Sequence, residues 1–466
     1  MSSSYPKFAV VGHPNKGKSS IVASLSFDDS IQIGNTPGTT QVKRGFPLKV
    51  DGKIVYELYD TPGFQRARRV YAWLKEHGEG VSANKRVDVV RQFVFEHKDN
   101  PRFRDEVELL EPILNGAGVI YVVDASKPYG AEYEVEMEIL RWCGQPSMAI
   151  LNLIGKGDYK EEWSRALGQY FRLVRTYNPI TAGHREHIEL LESMAQLNEE
   201  WTASIKEAIT VLEELYAQKI EQSAEVMRDY MIKSLSYVLK KQIRAKEATP
   251  QEREGAKEEY RAKIVAYELK QREQVEQIWN HNNLQKSEEQ LALDDVGLFS
   301  KESASIFGLS QKELMVTAAF SGAVTGAGFD LLVGGSSLFL GSLIGGVVGG
   351  VGAMFGFDNL YEIKVLGQSL GKRELSVGPM QNINFPYIML GRALYHASLI
   401  AKLSHAKRGP LSLENSSTFT ETIIDTKMRK RLEKIHSKLR KEEELTQEER
   451  SEYKEVVQES FMRLLS

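Results

Sequence analysis

Gly12-His13-Pro14-Asn15-Lys16-Gly17-Lys18-Ser19 decides the fold of this chain. The octet fits GxxxxGK[ST], follows directly on the apolar run Phe8-Ala9-Val10-Val11, and leads into the helical stretch Ser20–Leu25. That is the strand–loop–helix setting a phosphate-binding loop requires. Glycines let backbone amides wrap a phosphate chain, and the helix N-terminus behind them adds positive potential. The pattern assigns Lys18 to the β- and γ-phosphates and Ser19 to a Mg²⁺ ion, with Gly12 through Ser20 lining the nucleotide. His13 reads as a variable loop position, not a catalytic one.

Working outward, residues 1–183 alternate between strand and helix. β-Rich runs at Lys7–Gly12, Val42–Val50, Lys53–Asp60, Gly118–Asp124, Met148–Asn152 and Arg172–Tyr177 are separated by helical stretches such as Glu132–Trp142 and Glu161–Tyr170. This predicts an α/β domain with a mostly parallel sheet covered by helices. Asp51-Gly52 marks a hairpin between the second and third runs. The stretch Gln65–Gly116 is too long for a simple crossover and is expected to hold extra helices.

Three further motifs follow the loop at spacings that suit a nucleotide site. Asp60-Thr61-Pro62-Gly63 ends the third run. Its acid is placed to hold Mg²⁺ through water, and its glycine amide to face the γ-phosphate. Thr36-Pro37-Gly38-Thr39-Thr40 offers a threonine, Thr40 with Thr39 as the alternative, to complete the metal shell when a triphosphate is bound. After the fifth run, Asn152 stands where a base-reading [NT]KxD motif begins, but the lysine and acid arrive late, as Lys156 and Asp158. Asp158 then meets a guanine only if the loop bulges; relaxed base choice is the alternative. Thr181-Ala182 follows the sixth run and suits the wall behind a base.

Composition narrows the classes. The 466 residues call for two or three domains. Hydrophobic residues make up 42% and charged residues 26%, which excludes wholesale disorder. The net charge of −3 gives no whole-chain footprint for nucleic acid. The single cysteine, Cys143, excludes an intrachain disulfide and a thiolate zinc site, and core packing is its expected role. Met1–Lys7 has no cationic stretch ahead of an apolar one, so a cytoplasmic location is expected. His184 and His187 share a helix face without the carboxylates a metal site would need.

Residues 184–312 change character. They are rich in Glu, Lys, Gln and Leu, with apolar residues at helical spacing, and Thr249-Pro250 interrupts the run. Long antiparallel helices turning near 246–251 are predicted. Residues 313–466 form a third region. Within it, 314–357 contain 12 glycines and one charge, Asp330. Gly341, Gly345 and Gly349 recur every four residues, and the run 331–357 is uncharged. Small residues at that spacing let two helices approach closely, and a bilayer needs about 20 apolar residues. Two readings stay open: a membrane-associated hairpin at the cytoplasmic face of the inner membrane, touching lipid or a membrane protein, and a glycine-packed pair buried in the C-terminal domain. Lys407–Thr420 reads as a linker, and the tail 421–465 as a charged helical pattern whose basic face, Lys427–Lys441, is solvated.

The loop, Thr39-Thr40 and Asp60–Gly63 resemble the Era/TrmE-like GTPases over roughly residues 7–183. That resemblance implies GTP and GDP as ligands, hydrolysis of GTP, and a potassium ion beside Asn15. It also implies catalysis without a water-orienting glutamine, since Phe64 stands in that place. Arg66, Arg68 and Arg69 follow closely; they suit either developing charge or a plain exposed basic turn. Phe103–Glu106, Leu109–Leu114, Tyr121–Asp124, Pro128-Tyr129 and Glu136–Trp142 resemble, beyond this, an uncharacterised bacterial family. That family joins such a GTPase domain to a large C-terminal domain of unknown function. The rival readings it leaves are a soluble GTPase serving RNA modification or ribosome assembly, and a nucleotide-dependent scaffold with little turnover.

Overall fold

The computed structural model describes residues 5–25, 44–50, 53–179, 182–243, 247–279, 293, 296–320, 361–367, 373–403 and 419–465. The chain divides into two compact units. One is Met1–Tyr216 with 403–409; the other is Ala217–Lys402 with Pro410–Ser466.

The first unit is built on six strands: β1 (Lys7–Val11), β2 (Arg44–Val50), β3 (Lys53–Asp60), β4 (Gly118–Asp124), β5 (Ser147–Asn152) and β6 (Leu173–Thr176). Their order is β2-β3-β1-β4-β5-β6, with β2 antiparallel to β3 and the other pairs parallel. β4 is buried along its whole length. A strand covered on both faces reads as a continuous apolar run, which is why its bounds are legible in the sequence. Tyr121 and Val123 join the core on one face, and Ile120 and Val122 the core on the other.

Helix α1 (Lys18–Leu25) directly follows the loop after β1. The long stretch before β4 holds α2 (Ala67–His77), α3 (Arg86–His97) and α4 (Arg104–Leu114), as its length requires. α5 (Glu132–Cys143) and α6 (Lys160–Leu167) precede β5 and β6. Cys143 is buried in the core, and burial pushes its thiol up to about 12. α7 (His184–Ala195) and the start of α8 (Glu199–Leu235) cover the second face. Trp201 meets Phe8 edge-on at 4.9 Å. Gly118 makes room for it, since a Cβ there would lie 2.6 Å from the indole. His187 is not a metal ligand: its ring bonds Ser24 Oγ at 2.8 Å and the Gly183 carbonyl at 2.6 Å. Burial holds its imidazole below the usual value and pushes that of His184 down to about 4.

The second unit corrects one expectation. The two long helices, the end of α8 and α9 (Pro250–Ile278), are not joined by a simple turn. A strand, β7 (Leu239–Ile243), lies between them and pairs antiparallel with β9 (Arg373–Met380), which in turn pairs with β8 (Tyr361–Gly367). Leu239 and Ile243 face inward while Lys240 is exposed. Leu239-Lys240-Lys241-Gln242-Ile243 is apolar only at its ends, a weak local signal inside a charged helical stretch, and the strand that stabilises it is far along the chain. α9 starts where Pro250 predicts, on a capping box: Thr249 Oγ1 accepts from Glu252 N at 3.2 Å, and the Glu252 carboxylate accepts from Thr249 N at 2.8 Å.

Among the described residues the remaining helices are α10 (Lys301–Phe307), α11 (Gln311–Phe320), α12 (Phe385–Leu403), α13 (Phe419–Ile423), α14 (Thr426–Arg440) and α15 (Gln447–Leu465). The basic face of α14 is only partly solvated, because Arg429 is buried and paired with Glu313. Among the described residues no helix is long and apolar enough to cross a membrane. Of the segment 314–357, only the part through Phe320 lies within the described residues; its glycine stripe lies outside them, as do Thr36–Thr40, Asp51-Gly52, Thr181 and most of 407–420.

Candidate nucleotide-binding site

The strand order places the loop after β1 between β3 and β4, where the chain reverses its direction of progress across the sheet. In open parallel sheets such a switch point is where ligands bind, outside the carboxyl ends of the strands. Loops 12–17, 60–66, 124–131 and 152–159 all leave the sheet at that end.

The loop has the backbone its glycines were chosen for. Gly12 and Gly17 sit at φ +143° and +85°. Their missing side chains also matter, because a Cβ on Gly12 would strike the Val122 carbonyl and one on Gly17 the Asn152 amide. Asn15 adopts φ +60°, a left-handed conformation that asparagine tolerates. The Lys18 ammonium is buried and donates to the Gly12 carbonyl at 3.3 Å and the His13 carbonyl at 3.0 Å. Burial lowers its pKa, with the negative charges of Asp60 and Glu136 opposing the shift. Lys16 is buried as well, 3.8 Å from the Asp124 carboxylate. Pro14 packs against Gly63, and Ser20 is exposed on the first turn of α1.

The second motif closes on the first. Ser19 Oγ donates to Asp60 Oδ2 at 2.7 Å. Thr61 Oγ1 donates to the Val10 carbonyl at 2.7 Å, which pins the motif to β1. A Cβ on Gly63 would lie 2.8 Å from Pro14 Cδ and 2.9 Å from the His13 carbonyl carbon, so only glycine fits against the loop. Phe64 is buried in the core and its N–H donates to the Gly12 carbonyl at 3.3 Å. The next two amides, of Gln65 and Arg66, donate to one oxygen of Glu106 on α4, at 3.0 and 2.6 Å. The Arg66 guanidinium turns to the Arg102 carbonyl at 2.9 Å, while Arg68 and Arg69 are exposed.

At the base end, Asn152 is buried and donates from Nδ2 to the Lys16 carbonyl at 3.1 Å, tying the end of β5 to the phosphate loop. Asp158 is exposed, accepts from Lys160 N at 3.2 Å and pairs with Lys160 Nζ at 3.1 Å. Those bonds to Lys160 hold its carboxyl below the usual range. Ala182 is buried beside α7.

Three acids here, Glu106, Asp124 and Glu136, stood in the sequence within the stretches that resemble the wider family, with no role at the site. Their spacing to the phosphate loop signals no such role, and each acquires it from a loop distant in sequence. Asp124 ends β4 and accepts from Ser126 N at 3.1 Å as well as facing Lys16. Glu136 on α5 meets the His13 ring.

A family described as 50S ribosome-binding GTPase matches residues 7–152, and one described as domain of unknown function (DUF3482) matches residues 164–465. The protein named GTPase Der of Thermoanaerobacter sp. (strain X514) is 32% identical over 120 residues, 25% of this chain and 27% of that protein. GTPase Der of Lactobacillus helveticus is 34% identical over 119 residues, with the same shares. GTPase Der of Aromatoleum aromaticum is 36% identical over 187 residues, 40% of this chain and 35% of that protein. The chain thus spans between 27% and 35% of the length of these curated relatives.

Proposed function

The chain belongs to the DUF3482 family, and from that membership together with the P-loop GTPase domain ahead of it we propose a nucleotide-dependent switch that binds GTP and hydrolyses it to GDP and phosphate. The observation that carries this reading is the closure of Asp60–Gly63 onto the loop 12–19 through Ser19, Thr61 and Phe64. A γ-phosphate entering beside Lys18 would meet the Gly63 amide, and the displacement would pass through Gln65 and Arg66 to Glu106 on α4. Lys18 exchanges its two carbonyl acceptors for phosphate oxygens. The dry setting of that ammonium strengthens its attraction for developing negative charge.

Ser19 and Asp60 present two oxygen donors side by side, which suits a hard divalent cation. Mg²⁺ held there, with Thr40 completing the set, would neutralise charge on the phosphates. Asn15 is the corresponding choice for K⁺. Phe64 is buried and apolar and cannot orient water, so turnover is slow without K⁺ or a partner. Asn152 and Ala182 are the candidates for the base end, joined by Asp158 if it leaves Lys160, and by Thr181.

The direct test is nucleotide titration and phosphate release on the full chain. GTP and GDP should bind, ATP more weakly, release should stop on chelation of Mg²⁺, and KCl should accelerate it over NaCl. Equal binding of ATP would leave a general nucleotidase. A Gly63→Ala variant should retain GDP and lose the preference for a non-hydrolysable GTP analogue, because its methyl group would push the motif off Pro14 and His13. Unchanged preference would remove Gly63 from the sensing role.

The 27-residue uncharged run 331–357 supports a membrane-associated output end. Liposome flotation of the full chain beside a 314–357 deletion tests it. Flotation of the full chain alone is the expected result; flotation of neither returns the segment to a packed core.

A further inference from the structure

The strongest unexplained group near the site is Glu136. It is 2% exposed, on α5, close behind a loop built to collect phosphate. A buried carboxylate there repels the ligand the loop attracts, so its presence calls for a compensating role. Its two oxygens have separate partners. The Tyr121 hydroxyl donates to Oε2 at 2.9 Å, and His13 Nδ1–H donates to Oε1 at 2.8 Å. Burial raises its pKa, opposed by those two hydrogen bonds and by the charges of His13 and Lys18.

The anchor acts on the most consequential residue of the loop. The His13 carbonyl oxygen is the 3.0 Å acceptor of Lys18, and its carbonyl carbon is the wall 2.9 Å from where a Gly63 Cβ would stand. The His13 backbone is therefore wedged between the phosphate lysine and the glycine that faces the γ-phosphate. The His13 ring, gripped by Glu136 and set edge-on to Tyr133 at 5.6 Å, determines where that backbone lies. Tyr133 and Met137, on the same helix as Glu136, are buried in the core, so the grip is exerted from a rigid element.

We propose that Glu136 is a positioning residue for nucleotide discrimination: through His13 it holds the segment between Lys18 and Gly63, and so sets the preference for triphosphate over diphosphate. This rests on the nucleotide-site reading above. Both oxygens of Glu136 are taken by Tyr121 and His13, so it acts through His13.

The experiment measures the affinities of GDP and a non-hydrolysable GTP analogue for the full chain, wild type and variants. Glu136→Ala and His13→Ala should each lower the triphosphate-to-diphosphate affinity ratio by about tenfold, the scale of one hydrogen bond to a charged group. The double variant should be no worse than either single one, because the two residues act as one unit. Glu136→Gln keeps an oxygen acceptor for His13 and should restore the ratio to within about threefold. The His13 side chain is 43% exposed, so its variant folds even if Glu136→Ala does not. Equal weakening of both nucleotides, or additive losses in the double variant, overturns the proposal. If the wild-type chain binds neither nucleotide, the site reading itself fails and this proposal falls with it.

Discussion

A Lys18→Ala variant is expected to lose at least about a hundredfold in affinity for GTP, with hydrolysis falling below detection. A hydrogen bond to a charged group contributes about 1.5–3 kcal/mol, and a buried ammonium serving two phosphates makes more than one. Each 1.4 kcal/mol is about tenfold in affinity, so the loss of two such bonds reaches a hundredfold without appeal to its charge in the transition state. The same substitution should leave the free protein as stable as before or slightly more so. Burial lowers the Lys18 pKa, a sign that the ammonium is uncomfortable where it stands without a phosphate. Titration with a fluorescent nucleotide and a thermal melt separate the two effects. Affinity within threefold of wild type would move the phosphate site elsewhere.

An Arg392→Ala variant is expected to cause the largest loss of stability. Arg392 on α12 is buried, and its Nε donates to Glu268 on α9 at 2.7 Å. Its Nη1 donates both to the Val296 carbonyl at 2.7 Å and to Ser303 Oγ at 3.2 Å. Arg272 shares the same Glu268 oxygen at 2.9 Å. Burial would push the Glu268 carboxyl up, but the two guanidiniums override it and hold the group below the usual range. Removing one partner of a buried ion pair costs about 3–5 kcal/mol; here Glu268 is left with Arg272 alone of its two guanidiniums, and the Val296 carbonyl and Ser303 Oγ lose their donor. For a unit of this size that corresponds to a fall of about 6–20 °C in melting temperature. Arg392→Lys should recover little, since one ammonium cannot serve three acceptors in different directions. A melt that shifts by less than about 2 °C would mean the site rehydrates and the network is not structural.

Of the nucleotide site, the parts written in contiguous residues were legible. Gly12–Ser19 and Asp60–Gly63 carry their chemistry within single loops, and the structure places them against each other. The strands of the first unit were legible for a related reason: β4 and β5 are buried on both faces and read as uninterrupted apolar runs. Local spacing could not decide the status of Asp158. Whether a late acid meets a base depends on the path of 153–159, and here the acid is tied to Lys160.

By itself, then, the sequence determined the class of the first unit, the phosphate loop and the helical character of the rest, because each follows from periodicity or from a short motif. Tertiary structure alone decided that Asp124 and Glu136 stand behind that loop. It alone drew β7 out of a helical stretch to pair with β9, and gave Arg392 its acid on α9. In each case the partner lies more than 100 residues away, and no local pattern encodes a contact whose energy appears only when both segments are buried together.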